Sequence, residues 1–546
     1  MLQSTSVGLQ LNSSRAAGAG SVTGKATPAG DSKLLGLSAL SLSSILTALL
    51  TYLRFAQITA VFGTNWETDA LTVAMVFPFL VRGVVAHSFG SAFIPIYSRV
   101  MEQRGREGAV AFVNKTISWL LLTSSLLVAV LWFTSGYLVR IVSPNGSPEL
   151  LLLASSLLKI LLPVVILGTS SGILSNFIKY DRRFVTLSIS GLLGLALSFT
   201  VLLVAGDRIG IVILPISVLA GSLVTFVFLL VQSFRSGFKI QPSLQGDPFM
   251  AQLARMAVPV VGGTLAGFFA PVADKMLASF LQESSVTAID YANRIKNIVL
   301  AVVFFPFLTF ADLSFSAEAA KGRKEELLAV LRKSINTTSL VMFPTAALVT
   351  VLAVPAVSVL FQRGNFTGED SRYIGYALAF YAPWLAQFGI GSLVSRAFYA
   401  QKDSTTPVVI GIFGIVTNVL LNVILVGPLG IGGLALATTV TSTGKTVYLI
   451  WSLSRKMGGL NLRLIVREQL VILASNGILV VSSLVLLHLW PFSIQAPLLT
   501  RFAQLVTYTA GGGILMVVAL RGMGSTTLSG FISQISDKIK SRRTGE

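Results

Sequence analysis

"VFPFLVRGVVAHSFGSAF", Val76 to Phe93, decides how the chain is read. The stretch has the apolarity of a membrane span, yet Arg82 sits inside it and His87 follows. A guanidinium stays charged, and an Arg at the centre of a spanning helix costs about 2.5–3.5 kcal/mol. Arg82 is about thirteen residues into its span, roughly 20 Å at the helical rise, which makes snorkelling hard. Either the segment is not a span, or the arginine has work to do inside the membrane.

Composition favours the second reading. The 546 residues are 53% hydrophobic and 12% charged, with a mean hydropathy of +0.79. Soluble domains carry about 25% charged residues, so the chain reads as an all-α polytopic membrane protein. The net charge of +19 fits Lys and Arg gathered in cytoplasmic loops against anionic membrane lipid, and no nucleic-acid partner is expected. The absence of cysteine excludes disulfides, thiolate metal sites and cysteine nucleophiles. Two histidines, His87 and His488, leave little room for metal or acid–base chemistry. No catalytic, metal or cofactor-binding residue is expected.

A span needs about 20 apolar residues, and that ruler finds about fourteen transmembrane helices. Span 1 covers 36–61, span 2 69–97, span 3 116–141, span 4 149–178, span 8 287–316, span 12 429–453, and spans 13 and 14 465–488 and 501–521. Basic residues follow the even-numbered spans, as in Arg99, Arg104, Arg106 and Lys115, or Lys179, Arg182 and Arg183. Loops after odd-numbered spans, such as "GTNWET" and "SPNGSPE", are poor in positive charge. The alternation places both termini and the even loops in the cytoplasm.

An internal repeat organises these spans. "RGREGAVAFVNK" (Arg104–Lys115) resembles "KGRKEELLAVLRK" (Lys321–Lys333), and each follows a span holding an "FPF" triplet, Phe77–Phe79 and Phe305–Phe307. Pro163 and Asp181 bracket a span as Pro383 and Asp403 do. Six helices separate the copies, so the repeat is parallel, a pseudo-two-fold along the membrane normal as in transporters. Two six-helix lobes plus two extra C-terminal helices follow. The expected division is a disordered cytoplasmic tail at 1–33 (alternatively an organellar transit peptide), a first lobe at 34–236 and a cytoplasmic linker at 237–250. A second lobe at 251–456, spans 13 and 14 within 457–522, and a basic cytoplasmic tail at 523–546 complete it.

Arg54, Arg82 and Arg294 all fall within spans, and Asp69 opens span 2. Three lipid-facing arginines would cost roughly 10 kcal/mol, comparable to a domain's whole stability. A shared aqueous cavity between the lobes removes that cost, and convergent guanidinium forks there make an anion site. Each residue has a plainer alternative. Arg54 can snorkel, Asp69 can cap its own helix after Thr68, and Arg294 can pair with Asp290 at i,i+4. Asp274 and Lys275 are adjacent and point in different directions, which suits interface anchors.

Two look-alikes fail. "TSTGKT" (Thr441–Thr446) suggests a phosphate loop, but the required first glycine is Thr439 and no strand precedes it. "GPLGIGG" (Gly427–Gly433) lies between two spans and reads as a tight turn. Nothing argues for ATP hydrolysis, so transport would draw on ion gradients, the membrane potential or the substrate gradient.

The block "RFAQITAVFGTNWETDALTVAMVFPFLVRG", with "YANRI" (Tyr291–Ile295), "LFQRGNFT" (Leu360–Thr367) and "RAFYAQKDSTTP" (Arg396–Pro407), resembles the MurJ (MviN) lipid II flippases. These belong to the multidrug/oligosaccharidyl-lipid/polysaccharide flippase superfamily. The resemblance implies two lobes around a cationic cavity. It further implies outward flipping of undecaprenyl-pyrophosphate-linked peptidoglycan precursor by alternating access, coupled to the membrane potential or a monovalent cation. It implies a bacterial inner membrane location and cell-wall synthesis machinery as a partner. By position, Arg54, Arg82 and Arg294 match the family's cavity arginines. Asp69 matches its acidic residue opening span 2, and Thr287 a small hydroxyl residue. The chain departs at Gly83 and Ala86, where the family keeps charge. Rival readings are a flippase for exopolysaccharide or O-antigen precursors, and a multidrug antiporter. An antiporter for cationic drugs would favour acidic cavity residues. A membrane glycosyltransferase would need large outer loops, and these are short.

Overall fold

The computed structural model describes residues 29–304, 324–401, 403–458 and 461–530. Residues 1–28 and 531–546 of the expected tails, the Phe305–Phe307 triplet and Lys321 to Arg323 lie outside these, as does the side chain of His87. Every regular element among the described residues is helical. The first lobe contains α1 (Ala29–Phe62), α2 (Trp66–Ala74), α3 (Val76–Phe133), α4 (Ser135–Val142), α5 (Pro148–Leu161), α6 (Pro163–Tyr180), α7 (Phe184–Ile209) and α8 (Ile213–Arg235). The second contains α9 (Pro248–Ala278), α10 (Ser285–Val303), α11 (Lys324–Val351), α12 (Ala353–Phe361), α13 (Gly368–Ala400), α14 (Thr405–Leu429) and α15 (Ile431–Met457). Helices α16 (Leu462–Leu489) and α17 (Leu498–Gly522) pair with each other and pack on α11 and α12.

Eleven helical stretches among the described residues are long and apolar enough to cross a membrane. The differences from fourteen have physical reasons. Spans 2 and 3 belong to one 68-residue stretch, Trp66–Phe133. The loop expected between them is itself helical, interrupted only at Gly105, whose φ of 64° an L side chain rarely adopts. Spans 8 and 12 correspond to α10, described to Val303, and α15. Both are rich in polar residues. The expected tail at 1–33 also gives way, since α1 begins at Ala29. A helix nucleated in the apolar run from Leu34 extends cheaply by a turn.

Prolines set the breaks. Pro78 clashes with the carbonyl four residues back, Ala74, which ends α2, and Pro355 does the same to Val351, which ends α11. Span 4 bends where α5 meets α6 at Pro163. The repeat is visible in these details. Ser147 caps α5 through the Leu150 N–H, and Thr367 caps α13 through the Asp370 N–H. Gly210 and Gly430 make the turns α7–α8 and α14–α15 at φ of 69° and 55°. Ser147 and Thr367, Pro163 and Pro383, and Gly210 and Gly430 are each 220 residues apart.

The cores locate the joint between the lobes. One large cluster takes residues from both, with Phe55 edge-on to Tyr291 at 4.8 Å and to Phe361 at 5.0 Å. At the opposite, arginine-rich end the clusters separate. One gathers Phe93, Phe112 and Phe177 with Phe249 and Leu253 of α9. The other gathers Leu331, Leu393, Phe398 and Leu453. Helix α9 thus starts against α3 and finishes against α14. The segment before it is laced to α3. Asn114 donates to the Lys239 carbonyl at 2.8 Å and accepts from the Gln241 N–H at 2.9 Å.

Candidate functional site

The lobes are sealed at the end away from the basic loops, chiefly through backbone atoms. Gly63 ends α1 at φ 61°, and Gly364 lies in the α12–α13 turn at φ 59°. A Cβ on Gly364 would come within 2.2 Å of the Ala60 carbonyl oxygen, and one on Gly63 within 2.5 Å of the Asn365 oxygen. Only glycine permits this approach. Across it, the Asn365 N–H donates to the Ala60 carbonyl at 2.8 Å and its side-chain amide to the Val61 carbonyl at 2.6 Å. The Tyr52 hydroxyl donates to the Leu360 carbonyl at 3.1 Å, and Thr64 bonds Asp370. In lipid, apolar contact alone drives little association, so such polar and close backbone contacts carry the joint. "LFQRGNFT" is therefore part of the seal, a role its composition did not disclose.

Asp69 belongs to the same seal. It does not cap α2, because Asn65 does so, accepting the Thr68 N–H at 3.0 Å in a reciprocal capping box. Asp69 instead crosses to the second lobe and caps α10. Its carboxylate accepts the Ser284 N–H at 2.9 Å and the Thr287 N–H at 2.7 Å. Ser284 sits at φ 72° and supplies no side-chain cap of its own. Thr287, fully buried, thus meets Asp69 through its backbone.

The three arginines are held differently. Arg54 donates to Ser198 at 3.0 Å and Ser217 at 3.4 Å within the first lobe. Arg294 pairs with Asp290 at 2.5 Å, as its i,i+4 spacing allows, and Lys275 bonds the other oxygen at 2.8 Å. Its guanidinium also reaches the first lobe, 3.8 Å from Met75 Sδ and 5.9 Å from the Phe55 ring centroid. That brings it within electrostatic range of Arg54. Arg82 is exposed, and no hydrogen bond or ion pair holds it among the described residues. Its stem lies across Gly168, where a Cβ would be 3.3 Å away.

A cavity of about 970 Å³ opens beside this site, between α9, α10, α13, α14 and α15. Sequence reasoning missed most of it. Asp274 accepts from Asn422 at 2.6 Å, Asn422 donates also to Asn418 at 3.3 Å, and Asn418 donates to Thr438 at 3.4 Å. Lys296 lies 3.9 Å from the Trp384 centroid and 4.3 Å from that of Tyr381. The available signal was a polar i,i+4 pair, Asn418 and Asn422, within an apolar helix. Asp403, which brackets the repeat's second span, lies outside this cavity's lining. It precedes α14, pairs with Lys456, and is held down to about 2 by that ammonium and by Thr406.

Two helical lobes in a membrane, sealed at one end, with an arginine that has no ion pair among the described residues, suit a multi-pass transporter of the flippase and multidrug-exporter class. A solved structure described as a lipid II flippase MurJ in an inward closed conformation has the same fold. Its TM-score is 0.74 at 20% identity, covering 90% of this chain and 99% of that one. An inward-facing multidrug resistance MATE family transporter of the MOP superfamily shares it at a TM-score of 0.64, with 18% identity over 78% and 98% of the two chains. Residues 58–501 match the family described as "Lipid II flippase MurJ", and the chain belongs to that family, one of transporters rather than enzymes. A relative named "Probable lipid II flippase MurJ", from Buchnera aphidicola subsp. Schizaphis graminum, is 23% identical over 517 residues, 93% of this chain and 99% of its own.

Proposed function

We propose that this chain moves lipid II, the undecaprenyl-pyrophosphate-linked peptidoglycan precursor, from the inner to the outer leaflet by alternating access. Arg82 carries the reading. It is an intramembrane guanidinium without a counter-charge among the described residues, and a pyrophosphate matches its fork. Arg54 and Arg294, with Asp69 and Thr287 at the seal, complete the substrate site in this reading. In the sealed state the precursor enters from the arginine-rich end. Breaking the Asp69 cap and the glycine contact lets the outer end open.

Further parts of the reading are an inner-membrane location with both termini cytoplasmic, basic loops on anionic lipid, and cell-wall synthesis machinery as a partner. The lobes divide at the 237–250 linker. Coupling is to the membrane potential or a monovalent cation. A cation would find oxygen donors in Asp274, Asn418, Asn422 and Thr438, with the Lys296 ammonium competing for the same carboxylate. The rival flippase for another polyprenyl-pyrophosphate glycan shares the arginine chemistry and differs in head group.

The test is replacement of the resident flippase in a bacterium that depends on it, followed by a lipid II accessibility assay. Growth and outer-leaflet lipid II support the reading. Confirmed expression with neither sinks it.

A further inference from the structure

The cavity that Asp290, the partner of Arg294, helps to line carries three ammonium groups, Lys275, Lys296 and Lys445, and two carboxylates, Asp274 and Asp290. Lys275 is paired with Asp290, and Lys296 is seated against Trp384 and Tyr381. Lys445 has no hydrogen bond or ion pair among the described residues. An ammonium at this depth without a partner is costly and points to a ligand.

The surroundings aim it. Its stem crosses α14 at Gly414, where a Cβ would come within 2.3 Å of Lys445 Cδ. One turn earlier on α15, Thr441 lines the same cavity. It is 8% exposed, and its buried hydroxyl has no hydrogen-bond partner among the described residues. Both residues come from "TSTGKT", which is no phosphate loop because α15 runs through it as helix. The helix instead places hydroxyl and ammonium, four residues apart, on one face.

We infer that Lys445 and Thr441 form a second oxyanion subsite that takes a carboxylate of the transported head group while the arginines take the pyrophosphate. The inference deepens the flippase reading and rests on it. One ammonium and one hydroxyl suit a monoanion, and the lining's charges leave one positive unit unmatched. A diphosphate is better served by guanidinium forks. A volume of about 970 Å³ holds a sizeable part of a glycopeptide head group.

Binding is measured on the full chain in nanodiscs with two probes. One is an undecaprenyl-pyrophosphate disaccharide-peptide with free peptide carboxylates, and the other is the same lipid with those carboxylates amidated. The wild type is expected to bind the free-carboxylate probe about tenfold more tightly. Lys445→Met brings that probe down to the amidated level and leaves the amidated probe unchanged, whereas Lys445→Arg keeps the preference. Thr441→Val, close in shape, removes part of it and serves if Lys445→Met fails to fold. Equal wild-type affinity for the two probes, or a preference that survives Lys445→Met, overturns the subsite and leaves the flippase reading standing. A wild type that binds neither probe overturns both.

Discussion

Asp69 reaches across the lobe interface to hold the Thr287 N–H at 2.7 Å, so the first lobe caps a helix of the second. A cap is worth about 0.5–2 kcal/mol, and charge at a helix N-terminus adds to it. Because the capping carboxylate and the helix it caps sit on different lobes, that free energy counts toward the sealed state alone. Asp69→Ala is expected to shift the population toward the state open at that end by roughly 5–30-fold. The chain has no cysteine, so spin labels on two introduced cysteines flanking the seal report the distance directly. An unchanged distribution counts against a latch.

Gly364→Ala tests the backbone contact. The substitution is disfavoured by its φ of 59° and by the Ala60 oxygen 2.2 Å from the new Cβ. A left-handed alanine costs about 1–2 kcal/mol before any clash. Faster thiol labelling of a cysteine placed at Val61 is the expected result, and a rate equal to that of the glycine parent refutes it.

Arg82→Ala is expected to abolish flipping with protein level and thermal stability retained, since no described partner depends on the guanidinium. Arg82→Lys keeps the charge but loses the fork, and is expected to retain a small part of the activity. Normal lipid II exposure in the alanine variant would show that the arginine only shapes the helix.

The linker gives a pH dependence. Burial pushes the Asp247 carboxyl up, but bonds from Arg104 at 2.7 Å, the Phe249 N–H and Lys115 at 3.2 Å outweigh it, and its pKa falls below the ordinary value. A depressed acid stabilises above the unfolded pKa of about 3.9 and loses that contribution as pH falls through the folded value. Hydrogen exchange of residues 237–247, expressed relative to the intrinsic amide rate at each pH, should therefore be flat from about pH 5 to 8 and quicken only below about pH 4. Asp247→Asn should raise it across the whole range.

Much of this was legible in the chain. Hydropathy places most of the helices and the glycines of Gly427–Gly433 mark one turn, whereas the breaks at Pro78 and Pro163 fall inside apolar runs that a hydropathy ruler spans unbroken. The pairing of Arg294 with Asp290 was readable from its spacing. Asp69 was not, because capping side chains cluster at Asn65–Asp69 and the N–H groups that Asp69 actually accepts lie more than 200 residues away. Lys296 and Lys445 escaped because a lysine in a span reads as a flank or a motif until a cavity is seen beside it. The helical run through Arg99–Lys115, broken at Gly105, escaped because its charges resemble a loop, although Ala109, Phe112 and Val113 bury against the first lobe.

The 220-residue offset has a consequence for how the molecule moves. Two identical units about an axis along the membrane normal would carry two identical tongues. Here the second unit's tongue, from Gln362 to Asn365, grips the first. The first unit's counterpart, Val142 to Asn145, lies in a turn that closes on itself through the Gly146 N–H and Ser143 carbonyl. Among the described residues it sends no hydrogen bond across. Duplication made the halves alike and divergence made them unequal, so the protein is built like a door with its catch on one leaf.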